Sequence, residues 1–473
     1  MYVLCVHHTN TETRRKYTVK LFNGNLKIIQ QFIKDRIQSE VTRVSHQRKM
    51  KKYYDGEHDI QNKEANGNSP SNKLTFNFPE LIVDFNHAYL FSNSVTYSPN
   101  VKNDAKTDLF LEKMKEVFDA NNEEKVTNSL GKTSSIFGEA VEVHYIDSEG
   151  RHRFQESNPL EWVFFEINGE EMALRYYETV KFEVKNNSYE EVAVNKYTVY
   201  TMEAIYQYEE IDDKLSLLNE IPHFFGEVPV VRYMNKSTFG SEGVSDLKNV
   251  ISLVDAYNKT TSALLDTIEN NSDPYLLLIN LGVRKEEVDE MRKRRILQFK
   301  SQEGMNSEAK YLTYEGDLSY IEDFLNRLVR KIALLSFTPD VISKDTGKLN
   351  GDSGEALKMK VATSSDIKAN GKVMIFREGL RKRIRLIARQ LQNASNLNFY
   401  NEGTHNKIDS TFNKNLPTNT KEIIEMMKDA VGILSHETML KQIPFVEDVE
   451  EEMERIQKEQ GEPIQFEEEP GDE

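Results

Sequence analysis

Two spacings of apolar residues alternate along this chain. Ile28, Ile29, Phe32, Ile33 and Ile37 recur every three to four positions, as do Leu81, Ile82, Phe85, Tyr89 and Leu90. That period puts each set on one side of a helix, and it predicts helices over residues 26–50, 78–92 and 109–121. Between Gly138 and Val231 the pattern changes to short runs rich in Val, Phe and Tyr. Strands are predicted at 140–145, 162–167, 172–178, 180–184 and 196–206, with turns at Asn168-Gly169 and Asn186-Asn187 between them. An antiparallel sheet is the expected result. Asn, Gly and Ser crowd residues 62–72, which read as an exposed loop.

The helical period returns from Ser245 in much longer stretches. Ser245 is a suitable cap for a helix to about residue 271. Leu247, Val250, Ile251, Val254, Tyr257, Leu264, Leu265 and Ile268 fall near one face, and ~26 residues make a rod of roughly 40 Å. Pro274 ends it. A strand at 275–279, a charged helix at 285–294 and a strand at 295–299 follow. Asp317 caps a second long helix, with Leu318, Ile321, Phe324, Leu325, Leu328, Val329, Ile332 and Leu335 along it. Gly354 opens a third, reaching Gln392. Pro417 precedes helices at 419–434 and 435–441, and an acidic helix at 446–460 leads into the tail. The fold class is α+β and predominantly helical, with no internal repeat.

Between the second and third long helices lies a segment that neither can absorb. Residues 338–353 open on Thr338-Pro339 and carry Gly347 and Gly351, which stop helix propagation. A charged loop of this length in a compact domain is more often functional than not. It becomes the main candidate because catalytic constellations are missing elsewhere.

Composition narrows the class of function. The 473 residues suffice for several domains and a sizeable core. Hydrophobic content is 38% and mean hydropathy −0.62, a polar soluble composition. The lone Cys5 supports no disulfide framework and suits a reducing cytoplasm. No apolar run approaches the ~20 residues a bilayer span needs, and residues 1–6 are too short an apolar start for a secretory signal. Residues 447–473 hold 13 acids against 2 bases, a net of −11 out of the chain's −16, leaving −5 for the other 446 residues. That tail reads as a solvated end, or as a surface that repels DNA or attracts a basic partner.

Local motifs are weak as enzyme signals. Gly131-Lys132-Thr133 has the end of a phosphate-binding loop, but Val126 stands where its first glycine is needed, so a turn is the simpler reading. Asp55, Glu57, His58 and Asp59 supply hard-cation ligand types at a spacing that fits no calcium loop. The ten histidines form no zinc motif, and Gly-Asp-Ser-Gly at 351–354 lacks the partners of a serine nucleophile. Arg377, Arg381, Arg385 and Arg389 recur every fourth residue and share a helix face. They read as a solvated face or one paired with acids of a neighbouring subunit, or as phosphate contacts.

The order and spacing of several segments resemble the portal (connector, head-to-tail joining) proteins of tailed bacteriophages, in the siphophage form of Gram-positive hosts. The segments are Tyr53-Tyr54-Asp55-Gly56-Glu57-His58-Asp59-Ile60, Asn77-Phe78-Pro79-Glu80-Leu81-Ile82-Val83-Asp84 with Tyr89-Leu90-Phe91, and Phe225-Gly226-Glu227-Val228-Pro229-Val230-Val231. Leu253-Val254-Asp255-Ala256-Tyr257-Asn258, Ser353-Gly354-Glu355-Ala356-Leu357-Lys358 and Leu434-Ser435-His436-Glu437-Thr438-Met439-Leu440 complete the set. The likeness spans residues 27 to 460.

The resemblance implies a ring, usually of twelve subunits, around a channel through which double-stranded DNA is packaged and ejected. It implies a non-enzymatic part of the virion at the capsid vertex, assembled in the host cytoplasm, with no cofactor, no bound metal and no membrane contact. Terminase, the major capsid or scaffold protein and a head-completion (adaptor) protein are the implied partners. Residues 1–26 become an N-terminal extension and 27–243 a wing. Residues 244–272 and 317–337 become stem helices, with a clip at 273–316. The tunnel loop is 338–353, the wing's long helix 354–412, the crown 413–460 and the acidic tail 461–473. Asp340, Lys344, Asp345, Lys348, Asn350 and Asp352 would face passing DNA, and Leu247, Val254, Leu264 and Leu328 would form the stem interface. Two rival readings are a metal-dependent nucleic-acid-processing enzyme, using the acids at 55–59, and another capsid-interior or scaffold protein. A chain at −16 suits passage of DNA better than static binding.

Overall fold

The computed structural model describes residues 22, 24–64, 70–185, 188–236, 242–272, 275–279, 296–299, 308–312, 319–338, 354–395 and 398–414, with scattered positions from 428 to 458. The chain forms two compact units, Met1–Asn415 and Leu416–Glu473. In the second, the described positions Lys428, Met439, Leu440 and five residues between Glu452 and Lys458 are helical.

The first unit opens with α1 (Leu26–Ser39), whose amide of Lys27 donates to the Asn25 carboxamide oxygen at 3.0 Å. The single helix expected over 26–50 is two, because Glu40 interrupts it and α2 (Val41–Tyr54) sets off again. Next come α3 (Phe78–Phe91), β1 (Thr96–Pro99), α4 (Ala105–Asn121) and α5 (Glu123–Phe137). Asn122 links the last two in a left-handed conformation, φ +51°, which asparagine tolerates better than most residues. The Gly131-Lys132-Thr133 motif is helix interior, not a turn. Its helix escapes an apolar-period reading because Thr127, Gly131, Ser134 and Ser135 take up much of the buried face, and Leu130 is its one large apolar residue before Ile136 and Phe137 at the end.

Eight strands follow: β2 (Glu139–Ile146), β3 (His152–Ser157), β4 (Trp162–Ile167), β5 (Glu170–Lys185), β6 (Ser188–Tyr200), β7 (Ala204–Ile211), β8 (Lys214–Pro222) and β9 (Val230–Met234). β4 to β8 form an antiparallel five-stranded meander, and β3-β2-β9 a smaller sheet. The strands predicted at 172–178 and 180–184 are one strand. The strand predicted over 196–206 is broken where the Thr201 hydroxyl accepts from the Ala204 amide at 3.1 Å and turns the chain.

Alternation fixes what each face of the meander covers. Met172, Leu174, Tyr197, Val199, Tyr206 and Tyr208 pack with Phe22, Ile29 and Ile33 of the α1 layer. Trp162, Ala173 and Tyr200 point the other way, against Val141, Val143, Val228 and Val230.

After α6 (Ile251–Ser272) the short strands β10 (Tyr275–Ile279), β11 (Ile296–Phe299) and β12 (Glu308–Leu312) make a mixed sheet in the order β11-β10-β12. Then come α7 (Ser319–Ser336) and α8 (Gly354–Ser395), which at about 1.5 Å per residue spans roughly 63 Å. β13 (Ile408–Thr411) pairs antiparallel with β1. α8 lies on β9 and α3 through Phe376 and Leu380, with Tyr233, Phe91 and Leu90. Gly379 permits this: a Cβ there would stand 2.4 Å from the Tyr233 ring. The predicted helix at 285–294, the cap Asp317 and most of the predicted helices beyond 415 lie outside the described residues.

Candidate functional site

The two rods α6 and α7 pack against each other, and α7 ends at Ser336, just before residues 339–353, which lie outside the described residues. Ser245 does cap, with its hydroxyl accepting from the Leu247 amide at 3.2 Å and donating to the Ser135 carbonyl at 3.1 Å. Regular helix begins only at Ile251, because residues 246–250 turn more tightly.

The polar stripe of α6 is consumed by the chain's own segment 72–76. The amide of Phe76 donates to the Asn258 side chain (2.9 Å), that of Leu74 to the Ser262 hydroxyl (2.9 Å) and that of Asn72 to Asp266 (2.7 Å). Every second residue of an extended segment thus meets every fourth residue of the helix. Tyr53 donates to Asp255 at 2.6 Å, and the stacked His58 ring contacts the Asn258 amide at 2.7 Å. His58 is therefore a buried structural link. Asp55 pairs with Lys51 and Asp59 with Lys49, so the candidate metal ligands point to separate partners.

The sequence reading puts Leu247, Val254, Leu264 and Leu328 at a subunit interface, and the fold corrects most of this. Leu247 and Val254 are fully buried in the chain's own core with Tyr53, Ile82, Val83, Ile136 and Ile332, and Leu328 is buried too. Leu264 is half-buried. The apolar period marked the side of each rod that faces its own subunit. The outward side of α7 carries a second stripe at Tyr320 (63% exposed), Phe324, Leu334 (73% exposed) and Leu335. Spacings of four, ten and eleven residues keep it on one face.

The last turn of α7 is fastened before the loop begins. Phe337 adopts a left-handed conformation, φ +59°, and the Thr338 amide reaches back to the Ala333 carbonyl at 3.0 Å. A non-glycine residue there costs roughly 1–2 kcal/mol. Lys368 of α8 holds the strained end, donating to the Ser336 carbonyl at 3.0 Å and standing 3.3 Å from Asp246. One turn on, Lys372 is buried and donates to the Gly131 carbonyl (3.0 Å) and the Ser135 hydroxyl (2.5 Å). Burial brings its pKa down to about 8, with Asp246 opposing. Asp340, Lys344, Asp345, Lys348, Asn350 and Asp352 lie outside the described residues.

The arginine stripe of α8 is corrected as a phosphate face. Arg385 grips Glu227 with a two-pronged bond, Nε to Oε1 at 2.8 Å and Nη2 to Oε2 at 2.7 Å. Arg389 lies 3.8 Å from the centre of the Tyr400 ring and donates to its hydroxyl. Arg377 is half-buried, and of the four only Arg381 is exposed. The periodicity was real, but two of its four members tie α8 to loops of the same subunit.

The residue that periodicity missed is Arg383, wholly buried. Its Nε and Nη2 donate to Glu142 at 3.0 and 2.5 Å, and its Nη1 to Glu123 (2.6 Å) and Thr127 (2.7 Å). Glu142 also contacts His144 at 2.8 Å, and His144 contacts His152 at 2.8 Å. Burial pushes the Glu142 pKa up, but Arg383 and His144 more than reverse it, to about 2. Burial keeps both histidines neutral by lowering theirs. The available clue was Glu142 inside the apolar strand pattern 140–145, since a buried acid calls for a buried base.

This arrangement is architectural: long rods, an outward apolar stripe, and charges spent on holding one subunit rigid. Residues 32–465 match the family of phage portal proteins of the SPP1 Gp6-like kind. Over 440 residues, 87% of this chain and 80% of the relative, it is 26% identical to the portal protein of Bacillus phage SPP1. Over 437 residues, 85% of this chain and 89% of the relative, it is 24% identical to the portal protein of Clostridium phage phiCD119. The chain belongs to the SPP1 Gp6-like phage portal protein family, and its likeness to portal proteins, seen in the ordered segments from Tyr53 to Leu440, is confirmed. It is a structural component of a phage virion. Among the described residues no helix is long and apolar enough to cross a membrane.

Proposed function

We propose that the protein closes into a ring of about twelve copies at a capsid vertex and conducts double-stranded DNA in packaging and ejection. In that reading 27–243 and 354–412 are the wing, α6 and α7 the stem, and β10 to β12 belong to the clip that meets a head-completion protein. Residues 338–353 are the tunnel loop, and 413–460 the crown. Terminase and the major capsid or scaffold protein dock on the assembled ring. The observation that carries the reading is the outward stripe of α7. Exposed Tyr320, Phe324, Leu334 and Leu335 are affordable on a rod that a second rod covers, each burial contributing roughly 1.5–3 kcal/mol.

The test is native mass spectrometry on two variants. Leu334→Asp should keep the secondary structure and lose the ring, because it puts a charge only into the contact between copies. Leu328→Asp should unfold the subunit, because Leu328 is buried within it. A Leu334→Asp protein that remained a full ring would refute this placement of the stem contact.

A further inference from the structure

Helix α7 ends in a two-bond closure of the kind usually built around glycine. The Thr338 amide donates to the Ala333 carbonyl at 3.0 Å, and the Phe337 amide to the Leu334 carbonyl at 3.4 Å. Phe337 takes the left-handed position, where a side chain is strained. This closure uses the carbonyls of Ala333 and Leu334 and leaves that of Ser336, a residue only 1% exposed, to be met from elsewhere. Lys368 meets it at 3.0 Å from α8, 32 positions further along the chain.

The same ammonium stands 3.3 Å from Asp246, just ahead of α6. The two side chains are 15% and 6% exposed, so solvent does little to screen the pair. Asp246 is itself fixed from two sides. Its amide donates to the Ser135 carbonyl of α5 at 3.0 Å, and its carboxylate accepts from the Asn235 side chain at 2.8 Å. Burial works against its charge, yet Lys368 and Lys372 hold its pKa below the ordinary carboxylate value.

One ammonium thus joins the start of α6, the end of α7 and the body of α8. The negative end of the α7 dipole favours a cation at that place. The chain leaves α7 at Thr338 and comes back as α8 at Gly354. Lys368 therefore ties the departure point of residues 338–353 to the helix on which they return. We propose that Lys368 is a positioning residue for DNA handling: oriented by Asp246, it fixes the last turn of α7, and with it the point from which residues 338–353 set out. This rests on the tunnel-loop reading above.

The test is hydrogen exchange on assembled rings of Lys368→Met, Asp246→Asn and the two together, each checked by native mass spectrometry. Methionine keeps the length of the side chain and removes the donor. Exchange over residues 334–338 should rise about tenfold or more, while that over 376–388 of α8 stays as in the wild type. Asp246→Asn leaves the Ser336 contact of Lys368 in place, yet it should raise exchange over the same residues. The pair should match Lys368→Met alone, because Asp246 acts on α7 only through Lys368. Unchanged exchange at 334–338, or losses that add and spread along α6 and α8, would overturn the proposal. Should Lys368→Met fail to assemble, Asp246→Asn carries the test. In particles built with Lys368→Met, DNA packaging or retention should fall as it does on deletion of residues 344–350. Normal DNA in that variant, with the deletion impaired, would overturn the role of Lys368 alone. Normal DNA in both would defeat the tunnel-loop reading, and the proposal with it.

Discussion

Arg383→Leu is the most informative perturbation of this fold. The guanidinium is wholly buried and donates four hydrogen bonds, three of them to carboxylates. Its ring neighbours are Phe154 and Tyr233, 4.9 and 5.6 Å from the guanidinium carbon. Leucine would fill much of the space but strand Glu142 and Glu123, one fully and one almost fully buried. Glu142 would keep His144, and Glu123 would keep the hydroxyls of Thr127 and Tyr97. Breaking a buried pair from one side costs about 3–5 kcal/mol. A domain's whole stability is about 5–15 kcal/mol. The measurement is urea unfolding followed by fluorescence of Trp162, the chain's one tryptophan, buried against Val141 and Val143 on either side of Glu142 in sequence. Arg383→Lys should lose less, keeping a charge without the fork. Arg383→Leu with Glu142→Leu should be more stable than Arg383→Leu alone, because the stranded acid is gone. A loss below about 1 kcal/mol in the single variant, or no recovery in the double, would refute the claim that this network holds the first unit together.

Acid should weaken the unit in two stages. His87, at about 4, and His144 and His152, also lowered, are neutral in the fold and gain protons on unfolding, so stability present above the ordinary value near 6.5 falls as pH drops below it. Glu142, at about 2, adds a loss from about pH 4.3 down to 2; thermal midpoints unchanged between pH 7 and 5 would contradict the first stage. Gly131→Ala should destabilise by roughly 1–3 kcal/mol although alanine favours helix by about 1 kcal/mol, because the new Cβ would lie 2.7 Å from the Phe91 ring; a gain in urea midpoint would show that α3 can retreat. Deleting residues 344–350 should leave rings intact by native mass spectrometry but impair DNA packaging or retention in particles, and normal DNA content would remove the loop from DNA handling.

Much of the fold was legible because its signals are local. The α3 and β4 boundaries, and β10 with its apolar run, fall within a residue of the predicted ones. α5 was not, because Thr127, Gly131, Ser134 and Ser135 take up much of its buried face, where Phe91 and Lys372 approach, and leave Leu130 as its one large apolar residue before the helix end. Periodicity also reports that a face is buried without saying by what. Leu247 and Val254 satisfy the pattern by packing on Tyr53 and Ile82 of the same chain, 165 or more positions away in sequence. Arg383 could not be found from α8 alone, since its partners come from α5 and β2.

The fate of the α8 arginines bears on how such a protein treats DNA. Each phosphate neutralised by a free cation strengthens binding through counterion release and makes it salt-dependent. Arg383, Arg385 and Arg389 cannot be counted there, since Glu142 with Glu123, Glu227 and Tyr400 already hold them. Lys368 and Lys372 are spent on the carbonyls of Ser336 and Gly131. Among the described residues of the longest helix, Arg381 is the one arginine left exposed, in a chain whose net charge is −16. In the ring reading, a subunit that ties its cations into internal contacts would leave DNA weakly held, the balance that a conduit requires and a static DNA-binding protein does not. Raising free charge on α8 should therefore convert passage toward retention: Glu227→Gln, which releases Arg385, should increase the salt-dependent affinity of assembled rings for duplex DNA if that face reaches the channel. Unchanged affinity across salt concentrations would place Arg385 away from the DNA path and confine its role to tying α8 to the loop at Glu227.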